Sequence, residues 1–136
     1  MMWHLNLIRP TILEKRRINT MMDMGCILSR WRRTRGLRVP EGGEVECHHL
    51  VQATRRLGHW YTIPLNVWYH RGIVRYCAAF RVEARELYGA SLVDGRKAFA
   101  ASHGITEIEL WMYLQGLLGM SAEMPASKIM PRRNIG

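Results

Sequence analysis

The sequence predicts an α+β domain in which a hairpin-plus-helix core is flanked by helices, and three observations carry that prediction. Two capping boxes, Thr11-Ile-Leu-Glu14 and Thr106-Glu-Ile-Glu109, open helices near the two ends. Two short runs between them, 44–50 and 61–65, have the alternation or the β-branched and aromatic content of strands. Asn66 follows the second run directly and suits the N-cap of a short helix. A length of 136 residues with 48% apolar content is enough for one modest core.

Taken in order, the first box predicts a helix over Ile12 to Met24, closed near Gly25 by a left-handed cap. The arginine-rich stretch Arg30 to Arg38 has no apolar face and is broken by Gly36, Pro40 and Gly42-Gly43, so it reads as a basic loop. Glu44 to Leu50 reads as a strand with Cys47 and His49 on one face and His48 on the other. A polar segment with Arg55, Arg56 and Gly58 leads to Tyr61-Thr-Ile-Pro-Leu65, where the proline points to an edge strand. A short helix over Val67 to Arg71 follows.

Beyond it, Ile73, Cys77, Phe80, Ala84 and Leu87 recur at helical spacing, and Gly89 closes that segment. A further helix is expected over Asp94 to His103, ending at Gly104. The second capping box then opens a helix through Leu118 with Ile108, Trp111, Leu114 and Leu118 as its apolar stripe. The expected organisation is an N-terminal extension and helix (1–24), a domain (25–120) and a flexible tail (121–136), with Met1 to Pro10 also loose.

The net charge of +9 is unevenly placed. Residues 1–38 hold nine Lys/Arg against Glu14 and Asp23, a balance of +7, and the remainder contributes only +2. A basic half of this kind is a footprint for a polyanion, although a solvated surface accounts for the charge alone. Cys26, Cys47 and Cys77 are odd in number and widely spaced, which excludes a disulfide framework. The stretch Leu110 to Met120 is too short to cross a bilayer, which takes about 20 residues. With no secretory pattern in Met1 to Leu13, the expected setting is soluble, reducing and cytoplasmic.

Histidines carry the chemical signal. His48, His49 and His70 fall within 23 residues, with His59 between them. Neighbours on a strand face opposite ways, so a doublet can give one ring to a metal and the other to a water, and a third on the following helix can close the metal site. A His-His pair at a strand end is also a common surface feature. His103 reads as an exposed helix residue, Trp60, Trp68 and Trp111 as core, and His4 as uninformative. Arg55, Arg56 and Arg71 flank the histidines and suit phosphates.

Gly25-Cys26, Glu46-Cys-His-His-Leu50, Arg55-Arg-Leu-Gly-His59, Tyr61-Thr-Ile-Pro-Leu65, Trp68-Tyr-His-Arg-Gly72 and Tyr88-Gly-Ala-Ser-Leu92, with Phe99 and Gly104, occur in an order that resembles the phage-associated Ref family. These are RecA-dependent nucleases of recombination enhancement, a divergent branch of the HNH endonucleases with a ββα-metal core. The resemblance spans about Gly25 to Leu118. It implies that His48 and His70 are ligands of a catalytic Mg²⁺ or Mn²⁺. It makes His49 the general base, and His59 a residue that polarises or positions His49 or the phosphate. It further implies DNA as substrate, with a RecA-type filament as partner. Arg30, Arg32, Arg33, Arg35, Arg55, Arg56 and Arg71, with Lys15 to Arg17, are the expected phosphate contacts.

The family's structural zinc is expected to be lost. Its four ligand positions read Cys26, Ser29, Asn66 and Tyr69 here, so three ligands are missing together. Such a site supplies roughly 10 kcal/mol or more in small zinc domains. Packing of Tyr69 and Val67 against the first helix, with the apolar helices after Ile73, is the expected compensation. The competing expectation is a degenerate HNH domain that binds DNA or a protein partner without cutting; a metal-buffering role is the third and leaves the basic half unexplained.

Overall fold

The computed structural model describes residues 9–52 and 55–123. The extreme N-terminus and most of the tail, both expected to be loose, lie outside the described residues.

Helix α1 spans Ile12–Met24 and opens on the expected box: Glu14 N donates to Thr11 Oγ1 (3.1 Å) and Thr11 N to Glu14 Oε1 (2.8 Å). Gly25, at φ +85°, turns the chain into α2, Ile27–Thr34. This second helix replaces the first part of the expected basic loop. Its N-cap is Cys26, whose Sγ accepts from Ser29 N at 3.3 Å, and its inner face is Ile27, Leu28 and the half-buried Trp31. The arginines hid that face because they occupy the other positions.

Strand β1 (Val45–His49) pairs antiparallel with β4 (Thr62–Asn66), with Val45 opposite Asn66, Cys47 opposite Pro64 and His49 opposite Thr62. Beyond β1 the two-residue strands β2 (Val51–Gln52) and β3 (Arg55–Arg56) pair with each other. Pro64 is tolerated because, among the described residues, β4 has β1 alone as a ladder partner. Asn66 caps α3 (Val67–Arg71): its Oδ1 accepts from Trp68 N at 2.8 Å and its Nδ2 donates to Gly42 O at 3.0 Å. Gly72 ends α3 in the left-handed region (φ +70°), where a Cβ would lie 2.7 Å from Val93 Cγ2.

The helix expected from Ile73 begins only at Arg81, as α4 (Arg81–Tyr88). Residues 74–78 form turns instead, and Phe80 is 71% exposed, so of that stripe only Ala84 is fully buried. A 3₁₀ turn at Leu92–Asp94 precedes α5 (Arg96–His103) and α6 (Glu107–Leu118), the latter opening on the second capping box.

The core joins Met21 of α1, Ile27 and Leu28 of α2, Ile63 and Leu65 of β4, Trp68 and Tyr69 of α3, Phe99 of α5 and Leu110, Trp111 and Leu114 of α6. Each large apolar side chain so buried contributes about 2 kcal/mol. The architecture is α+β, with helices packed around the small hairpin. No helix among the described residues is long and apolar enough to cross a membrane.

Candidate active site

Strand alternation sends His48 and His49 to different partners. His48 shares its face of β1 with Glu46 and meets the α3 histidine. The His48 and His70 ring centroids are 5.1 Å apart at 65°. Each of these imidazoles has one nitrogen against a carboxylate: His48 Nε2 lies 2.7 Å from Glu107 Oε1, and His70 Nδ1 lies 2.9 Å from Glu46 Oε1. The Glu46 carboxyl is held below the usual carboxylate range, chiefly by its hydrogen bond from Arg71 and also by His70. Burial works to raise the Glu107 carboxyl, but its bonds and charge interactions with His48 and Arg96 outweigh burial and leave it lowered.

His49 faces His59, with Nε2 3.0 Å from His59 Nδ1 and the rings 5.1 Å apart. Burial, followed by the charge of Arg56 and the neighbouring histidines, holds His49 at about 4, so the ring is neutral at physiological pH. The turn that presents His59 is anchored from several sides. Thr62 Oγ1 donates to His59 O (3.0 Å), Tyr61 N to Gly58 O (3.1 Å) and Trp111 Nε1 to Trp60 O (3.1 Å). Thr62 is itself gripped by Arg17, whose Nη1 donates to Thr62 Oγ1 (2.8 Å), Nη2 to Thr62 O (3.0 Å) and Nε to Gln115 Oε1 (2.8 Å).

Among the described residues, no group of three or more His, Cys, Asp or Glu side chains is arranged to hold a metal ion. His48 and His70 are the pair that could hold a cation, each imidazole having one nitrogen against a carboxylate and the other not engaged by it. A closed, all-protein site does not fit. Two imidazoles with the other positions left to oxygens suit a reactive divalent cation rather than a structural one.

The arginines expected at phosphates divide into groups. Arg30, Arg33, Arg35, Arg55 and Arg56 are exposed, as are Lys15 and Arg16. Arg32 is corrected: it is 6% exposed, its Nε donates to Arg38 O (2.8 Å) and its Nη1 to His103 Nδ1 (3.1 Å). Arg17 is likewise a core residue, 1% exposed. Arg71 is exposed, but its Nε and Nη2 are committed to Glu46 at 2.8 and 2.6 Å. His103, expected on the surface, is 4% exposed and donates from Nε2 to Ala90 O at 2.8 Å.

The four positions read in the sequence as replacing zinc ligands are engaged within the fold. Cys26 and Asn66 cap helices, Ser29 is buried in α2, and Tyr69 donates its hydroxyl to Tyr88 O at 2.8 Å. Tyr69 packs edge-on against His103 (centroids 5.3 Å apart).

Sequence reasoning missed Glu46, Glu107 and Arg96. Glu46 was legible, being two residues before His48 on the same strand face. Glu107 was not, because its position in the first turn of a capped helix already accounts for an acidic residue.

No curated protein and no solved structure matches the chain. A family model described as recombination enhancement, RecA-dependent nuclease matches residues 10–119, a span that includes α1 and both histidine pairs. By that match over most of its length, the chain belongs to the family of RecA-dependent nucleases of recombination enhancement.

Proposed function

We propose that the chain is a metal-dependent DNA endonuclease of the HNH class, with the β1–β4 hairpin and α3 as its ββα-metal core. Its substrate would be DNA engaged by a RecA-type filament. The observation that carries this reading is the division of labour across β1, with His48 beside His70 and His49 beside His59. His48 and His70 would hold Mg²⁺ or Mn²⁺, which when bound supplies positive charge to the phosphodiester under attack.

His49 acts as the base. With Nε2–H donating to His59 Nδ1, the free Nδ1 takes a proton from the attacking water. The water oxygen forms a bond to phosphorus as the bond to the leaving ester oxygen breaks. His59 holds the His49 ring in that orientation, and its own turn is fixed by Thr62 and Arg17. Arg55 and Arg56 on β3, with Lys15, Arg16, Arg30, Arg33 and Arg35, supply a hold on the phosphate backbone that does not depend on sequence.

The test is nicking of supercoiled and single-stranded DNA with Mg²⁺, Mn²⁺ or EDTA, with and without a recombinase filament. Cleavage should require the cation and fall about 10²- to 10⁴-fold in His49→Ala. If neither protein cuts, with the filament present, a role in binding DNA or a protein partner replaces this reading.

A further inference from the structure

Glu107 stands apart from the histidine-bearing hairpin. It is the first residue of α6, 59 positions from His48 in sequence, and it is 6% exposed. Both of its oxygens are engaged. Oε1 lies 2.7 Å from His48 Nε2, and Oε2 accepts from Arg96 Nε at 2.9 Å. Arg96 Nη2 in turn donates to Val51 O at 2.8 Å, which ties the guanidinium to the chain just past the end of β1. The carboxylate is thus clamped between His48 and Arg96, its charge balanced and its geometry fixed from α5, α6 and β2 together.

An ionised carboxylate can only accept, so the proton of a neutral His48 is on Nε2 and the lone pair is on Nδ1. We propose that Glu107 is a positioning residue that fixes His48 as the Nε2–H tautomer, so that Nδ1 is the atom His48 offers to a divalent cation. The second half of this proposal rests on the cation-binding reading of His48. A direct ligand role for Glu107 is disfavoured by Arg96, which occupies Oε2 and neutralises the charge a cation would need. A histidine ligand whose far N–H is held by a carboxylate is the usual outer arrangement around a metal, and losing that carboxylate typically costs 10- to 100-fold in metal affinity.

The experiment uses the full chain, labelled with ¹⁵N in its histidine rings and free of metal, followed by Mn²⁺ titration calorimetry and Co²⁺ absorption spectra. In the natural chain the His48 ring nitrogens should report a single Nε2–H tautomer. Glu107→Ala should give a tautomer mixture and bind Mn²⁺ 10- to 100-fold more weakly, with Glu107→Gln between the two. The Co²⁺ band positions should be the same in Glu107→Gln as in the natural chain. Arg96→Gln, at a half-exposed position, removes the clamp on Glu107 Oε2 and should by itself give a tautomer mixture at His48; it serves if Glu107→Ala does not fold.

A His48 proton on Nδ1 in the natural chain would overturn the proposal, as would a Glu107→Ala chain with unchanged tautomer and Mn²⁺ affinity. Shifted Co²⁺ bands in Glu107→Gln would make Glu107 a direct ligand and refute the positioning role. Absence of Mn²⁺ binding in the natural chain would sink the cation reading of the site and the assignment of Nδ1. The ring-nitrogen spectra would still decide the tautomer.

Discussion

Replacing Arg17 by alanine removes a guanidinium that is 1% exposed and donates to three neutral oxygens, Thr62 Oγ1, Thr62 O and Gln115 Oε1, with Met21 Sδ as a weaker acceptor at 3.4 Å. Hydrogen bonds from a charged donor contribute about 1.5–3 kcal/mol each, so three amount to roughly 4–9 kcal/mol. Against this stands the cost of burying a cation with no carboxylate beside it. Burial holds the guanidinium at about 10 rather than 12.5, which corresponds to roughly 3 kcal/mol. The difference predicts a net loss of about 1–6 kcal/mol on Arg17→Ala, against the 5–15 kcal/mol typical of a whole domain. Urea unfolding followed by circular dichroism would measure it, with Arg16→Ala on the exposed side of α1 as the control. That control should stay within about 0.5 kcal/mol. If Arg17→Ala were as stable as the natural chain and only bound DNA more weakly, the buried network would be refuted and Arg17 would return to the phosphate contacts.

Further outcomes are expected. His103 is held at about 4 by burial, against 6.5 when unfolded, while its backbone bond to Ala90 opposes the shift and Arg32 adds to it. The folded ring therefore takes up a proton less readily than the unfolded one. The stabilisation is complete above about pH 6.5 and is lost as pH falls toward 4, by up to roughly 3 kcal/mol. The difference in urea midpoint between the natural chain and His103→Gln should shrink across that window; a constant difference would refute it. Changing Arg30, Arg33 and Arg35 together to alanine should flatten the log–log salt dependence of DNA binding by about 0.7–0.9 for each phosphate that is no longer neutralised. An unchanged slope would remove α2 from the DNA interface. Metal analysis of the purified chain is expected to return no stoichiometric zinc, since Cys26, Asn66 and Tyr69 are spent on caps and on Tyr88. One zinc per chain, retained when His48 and His70 are changed, would contradict that.

What was legible in the sequence was local. Thr11 and Thr106 announced their helices because a capping box is complete within four residues. The separation of His48 from His49 follows from strand alternation alone. What was hidden depended on partners far along the chain. Arg32 resembles any surface arginine until His103, 71 residues away, supplies an acceptor for it. Arg17 does so until Thr62 and Gln115 enclose it. The segment after Ile73 kept helical spacing, yet α3 ends at the left-handed Gly72 and the chain turns through 74–78 before Phe80 caps α4 from an extended conformation. Periodicity cannot register such a break, because it counts residues and not directions.

The two histidine pairs hang from one five-residue strand, and this imposes a rule of parity. Val67 N donates to Glu44 O and Leu50 N to Tyr61 O, so β1 is pinned to its neighbour just outside both ends. Inserting or deleting one residue between those pins would rotate every later side chain to the reverse surface. His48 would then face His59, and His49 would face Glu107 and His70. A change of two residues would restore the assignment at the cost of a bulge. A change in the length of β1 that keeps both histidine pairings therefore comes in even steps.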